Sequence, residues 1–100
     1  MNQEVAKSAV RWLRHWMSKQ KIAEADDKQH VGTSLAETIR KEYEKNPDEW
    51  WVGHHFWWGM QMRNLLRSNG YGETELGVGN LDDCYIELIE NAIGCKNTID

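Results

Sequence analysis

Cysteine, proline and phenylalanine are scarce in this chain of 100 residues, which has two Cys, one Pro and one Phe. Cys84 and Cys95 are too few and too unpatterned to staple a disulfide scaffold. On one helix their spacing would hold them roughly 16 Å apart at a rise of about 1.5 Å per residue, beyond a disulfide's reach. They read as reduced thiols. Strand alternation of useful length, internal repeats and low-complexity tracts are missing as well, which leaves helices as the building material. No apolar run can cross a membrane, because His54, His55, Gln61 and Arg63 interrupt the most hydrophobic segment and Arg63 would sit in the hydrocarbon. Asn, Gln, Glu, Lys and Ser fill Met1 to Val10, where a secretory signal needs an apolar core, so the expected location is cytoplasmic.

Catalytic signatures are absent too. The chain has no Ser-His-Asp order, P-loop, dinucleotide fingerprint or H-E-x-x-H helix, and Gly70-Tyr71-Gly72 lacks the Lys and Ser/Thr pair of a phosphate cradle. An enzyme therefore has no positive support, and no cofactor is expected. Excess positive charge is also lacking: a net charge of −4 argues against a general phosphate-binding surface. The charge is unevenly spread, with Lys7, Arg11, Arg14, Lys19 and Lys21 facing Glu4 alone up to Ala23, and acid concentrated after Tyr71. A basic first helix should complement an acidic last helix, within the fold or across a dimer. Nucleic acid is disfavoured, since the tryptophans are not interleaved with basic residues.

Tryptophan is what the chain has in abundance. Four of its six tryptophans, Trp50, Trp51, Trp57 and Trp58, fall between residues 50 and 60, alongside Val52, Phe56 and Met60. A helix built from that segment would be sticky nearly all round and would have to be enclosed by the domain or by a second chain.

The apolar rhythm places the helices. Val5, Ala6, Ala9, Val10, Trp12, Leu13, Trp16 and Met17 give a first amphipathic helix from Gln3 to about Gln20, with Lys7, Arg11, Arg14 and Ser18 as a solvated strip. Ser34 and Glu37 form a capping box for a second helix, buried through Leu35, Ala36, Ile39 and Tyr43 and ending near Lys45. Asn46-Pro47-Asp48-Glu49 then starts a Trp-rich third helix running to Ser68, with Asn69-Gly70 as its left-handed exit. Gly70 to Asn80 reads as a loop anchored by Leu76 and Val78. Asn80 caps a last helix with Leu81, Cys84, Tyr85, Leu88, Ile89, Ala92 and Ile93 as its core stripe, ended by Gly94. The expected fold is all-α: one domain over 1–100, a compact bundle of about four helices with the Trp-rich third most buried.

Two polar groups compete as candidate sites. His54 and His55, with His30, Asp82, Asp83 and Cys84 as further donors, invite a metal, but neighbouring helical residues point about 100° apart. No H-x-x-x-H or C-x-x-C pair exists, so no metal is expected. Arg63-Asn64 and Asp82-Asp83 are more suggestive. An arginine among Trp, Met and Leu needs a carboxylate, so a bridge from Arg63 to Asp82 or Asp83 should fix the last helix. The functional alternative is a polar site of His54, Arg63, Asn64, Asp82, Asp83 and Tyr85 able to move a proton or contact phosphate.

The stretch from Gly53 to Arg67, followed by Leu81-Asp82-Asp83-Cys84-Tyr85, resembles uncharacterised bacterial and phage proteins with an H-x-x-x-G-x-x-x-R-N-x-x-R core and an acidic pair before an aromatic. The resemblance covers roughly Trp50 to Ala92. It implies that His54, Gly59, Arg63, Asn64 and Asp82-Asp83 form one structural unit, and a phage or mobile-element setting. The reading that follows is a cytoplasmic module that binds a protein partner or itself, the latter as a homodimer, through Trp12, Trp16, Trp50, Trp51, Trp57 and Trp58. An enzyme or ligand-binding domain around His54, Arg63 and Asp83 is the alternative.

Overall fold

A computed structural model describes residues 1–19, 34–52 and 59–99. In them the chain forms five α-helices, with a 3-10 turn before the last: α1 (Gln3–Lys19), α2 (Leu35–Lys45), α3 (Met60–Ser68), α4 (Glu73–Leu76), the turn Leu81–Asp83, and α5 (Tyr85–Ala92). The described residues contain no strand, as the all-α expectation requires.

The first helix owes its start to Asn2, whose side-chain oxygen accepts from Glu4 N at 3.1 Å and Val5 N at 3.3 Å. These are donors that the helix itself cannot satisfy. One face, Ala6, Ala9, Val10, Leu13 and Met17, is fully buried. Asn2 N also donates to Leu76 O at 2.6 Å, which ties the start of α1 to the end of α4. In α2, Ser34 Oγ accepts from Glu37 N at 3.2 Å, the amide half of the expected capping box. Ile39 is the residue of α2 that reaches the core, with Leu35, Ala36 and Tyr43 packed at its edge.

The third helix differs from expectation. Residues 47–51 form turns, and α3 proper is Met60–Ser68. Asn46, expected to cap the next helix, ends α2 instead by donating its N–H to Glu42 O. Glu49 N and Val52 N then bond back over three residues, to Asn46 O and Glu49 O, a tight-turn pattern rather than α-helix. Only Met62 and Leu66 of α3 are buried, and Met60 is exposed.

The central element is α5, the last helix. Tyr85, Leu88, Ile89, Glu90, Asn91 and Ala92 are all buried in it, and α1 crosses it. Its C-terminal carbonyls would be orphaned in the interior, and cations from two other helices meet them. Arg14 of α1 donates from Nε to Ala92 O (3.1 Å) and from Nη2 to Asn91 O (3.2 Å), while Arg40 of α2 donates from Nε to Ile93 O (3.1 Å). Of the basic residues of the first helix, Arg14 meets the last helix, and it does so on backbone carbonyls rather than on the acidic side chains expected. Arg14 does so while remaining exposed, as a member of the solvated strip. Gly94 follows with φ +82°, the left-handed exit expected of it.

The glycine-rich stretch is more ordered than a loop. It carries α4, whose Leu76 is fully buried, and Asn80 caps the 3-10 turn rather than α5 by accepting from Asp82 N at 3.0 Å. The chain turns again at Cys84 before α5 begins.

Candidate functional site

Arg63 of α3 reaches the turn before α5. Its Nε lies 2.6 Å from Asp82 Oδ1, and its guanidinium sits 5.0 Å over the Tyr85 ring. The arginine side chain is 11% exposed and the aspartate 41%, so a nearly buried cation meets a carboxylate at the solvent edge. Such a pair contributes about 1 kcal/mol at most once water screens the carboxylate, and the stacking on Tyr85 adds to it. Gly59 explains how the three come so close. A Cβ there would collide with the Tyr85 hydroxyl and lie 3.1 Å from Arg63 Nη1. The close neighbour that this glycine admits is a tyrosine hydroxyl.

Chemically the group is quiet. Burial pushes the Tyr85 hydroxyl up, against the opposing pull of Arg63, so the phenol stays protonated. Burial likewise raises Cys95, which keeps it a thiol rather than a nucleophilic thiolate.

Asn64 belongs elsewhere. Its side-chain oxygen accepts from Arg67 Nη1 at 3.1 Å, and Arg67 makes a two-pronged pair with Glu73, Nε to Oε1 at 3.1 Å and Nη2 to Oε2 at 2.8 Å. Glu73 Oε2 also accepts from Leu81 N at 3.2 Å, so one carboxylate joins α3, α4 and the 3-10 turn. The Arg67 bonds, with backbone amides adding to them, hold the Glu73 carboxyl down at about 2.

Two buried polar residues of α5 were not among the expected site residues. Glu90, 3% exposed, accepts from Trp50 Nε1 at 3.2 Å on one oxygen and pairs with Lys96 Nζ at 3.2 Å on the other. Trp50, expected at an interface, is therefore a core residue bonded to α5. Asn91 is equally buried and holds the C-terminal tail: its Oδ1 accepts from Thr98 N (2.9 Å) and Ile99 N (3.0 Å), and its Nδ2 donates to Glu87 O (2.9 Å) and Thr98 Oγ1 (3.0 Å). The sequence hint was weak: a charged and an amide residue between Ile89 and Ala92 of the apolar stripe.

Among the remaining expected interface residues, Trp12 and Trp16 of α1 stack with ring centroids 6.1 Å apart and planes at 15°. Tyr71 tilts against Trp12 at 6.0 Å and its hydroxyl lies 3.0 Å from Ser8 Oγ. All three aromatics are half-buried, as is Trp51, while Arg11, His15 and Lys19 on the same helix are exposed. Basic side chains thus do border this tryptophan pair, contrary to the expectation from the whole-chain pattern. His54, Trp57 and Trp58 lie outside the described residues, as does the Asp83 side chain. No group of three or more metal-ligating side chains occurs among the described residues, and none of the described helices is long and apolar enough to cross a membrane. Compared with known proteins, the chain matches no family model, no curated sequence and no solved structure.

Proposed function

We propose that this chain works by binding protein, in its simplest form a second copy of itself as a homodimer. The observation that carries this reading is the Trp12–Trp16 stack with Tyr71, three aromatics that pack against the edge of the core and stay half-buried. Large aromatics that stay partly wet in a small domain are the side chains most enriched at protein contacts. Exposed Val52 and Met60 add apolar surface elsewhere on the chain.

The alternative, a polar pocket centred on Arg63, is less well supported because Arg63 is already engaged by Asp82 and Tyr85. Sedimentation velocity of the untagged protein over a wide concentration range tests the proposal. A concentration-dependent dimer supports it, and a monomer at every concentration removes self-association. Arg63→Ala separates the two readings: a lowered melting temperature with the dimer retained fits a structural brace, whereas loss of ligand binding at unchanged stability favours the pocket.

A further inference from the structure

The outer face of α1 carries more than aromatics. At about 100° per residue, Glu4, Ser8, His15 and Lys19 lie along the side away from the buried stripe of Ala6, Ala9, Val10, Leu13 and Met17, with Arg11 on one flank and, on the other, Trp12 and Trp16, which also pack against the edge of the core. Glu4, Arg11, His15 and Lys19 are exposed. The face is therefore acidic at its start, aromatic in the middle and basic at its end. Glu75, exposed on α4 one residue before the Leu76 carbonyl that binds Asn2 N, adds charge to the acidic end.

We infer that this face is the contact surface of an antiparallel, two-fold α1–α1 dimer, an inference that rests on the self-association reading and gives it a geometry. A two-fold axis passing near Trp12 brings Glu4 of each copy to the level of Lys19 of the other, within about one residue's rise of 1.5 Å. Trp12 then meets its own symmetry mate, and Trp16 faces Ser8 across the axis. The parallel arrangement sets Glu4 against Glu4 and Lys19 against Lys19, whereas Arg11 lies close to the level of its own symmetry mate in either arrangement, so Glu4 and Lys19 select the antiparallel one. A two-fold contact must complement itself, and this helix supplies both signs of charge on one face.

Sedimentation equilibrium of the full chain at low salt tests the arrangement, comparing wild type with Glu4→Lys, Lys19→Glu, the double reversal and Trp12→Ser. Each single reversal should weaken the dimer roughly tenfold, because every altered charge enters two symmetric contacts. The double reversal should return to within about threefold of wild type, since it restores both pairs with their signs exchanged. Trp12→Ser should yield a monomer; if it fails to fold by circular dichroism, the charge cycle alone decides. Single reversals without effect, or a double reversal as weak as its parts combined, would overturn the inference while a persisting wild-type dimer leaves self-association standing. A wild-type monomer at all concentrations overturns both. Dissociation of the dimer by an oligothymidylate that binds wild type would also overturn it, because the face would then be a stacking and phosphate-contacting surface.

Discussion

Replacing Gly59 by alanine should destabilise the protein, although the local backbone favours the change. Gly59 has φ −60° and ψ −39°, a right-handed helical conformation in which alanine gains about 1 kcal/mol over glycine. Against that gain stands the Tyr85 hydroxyl, into which the new methyl would run, with Tyr85 Cζ 3.1 Å away. Overpacking of this kind costs about 1–3 kcal/mol. The upper part of that range applies, because Tyr85 is fully buried and Arg63 lies across its ring, so the phenol has nowhere to move. The expected net loss is about 1–2 kcal/mol. In a Tyr85→Phe background the colliding oxygen is gone, and Gly59→Ala should become nearly neutral, giving a coupling of about 1 kcal/mol or more between the positions. Urea denaturation followed by far-ultraviolet circular dichroism on wild type, both single variants and the double variant measures this directly. An equal loss in both backgrounds, or a gain in wild type, would refute the packing of α3 against Tyr85.

Three more perturbations probe α5 and its neighbours. Glu90→Ala should cost about 2–3 kcal/mol by leaving the Trp50 N–H buried without its acceptor, and Trp50→Phe about 1–2 kcal/mol, with the double variant losing less than the sum; additive losses in chemical denaturation would disprove the Trp50–Glu90 bond. Asn91→Ala removes the acceptor for Thr98 N and Ile99 N, so hydrogen exchange should show both amides losing protection while amides in the middle of α5 keep theirs. The Glu73 carboxyl is lowered from 4.5 to about 2 in the folded protein, so its pair with Arg67 stabilises fully above the unfolded value and is lost as pH falls through about 2. A carbonyl-carbon NMR titration should place Glu73 well below the other surface glutamates, and a midpoint near 4.5 would contradict the bidentate pair.

Legibility followed how local each cause is. The Ser34 cap and the Gly70 and Gly94 exits depend on a few adjacent residues, and each stands where the spacing predicts it. The core stripe of the last helix was equally readable, because Leu81, Cys84, Tyr85, Leu88, Ile89, Ala92 and Ile93 all bury. The turn after α2 was not. Asn46-Pro47-Asp48-Glu49 carries every local sign of a helix start, but Trp50 is drawn to Glu90, a partner 40 residues away that no window can see. A helix as short as α4 shows no period at all, and the partner of its last carbonyl, Asn2 N, lies at the far end of the chain. In the candidate site, the need of Arg63 for a carboxylate was readable from its apolar neighbours, and Asp82 meets it. Asn64 was misassigned since adjacency in sequence hides that it faces Arg67 instead.

The most direct measurement is a native mass spectrum of the freshly purified, untagged protein, which reads subunit number and bound mass together. Self-association through the outer face of α1 predicts a dimer of bare polypeptide that separates on Trp12→Ser. A monomer carrying a stoichiometric metal or small molecule would contradict the account and make His54, Arg63 and Asp83 the first residues to mutate.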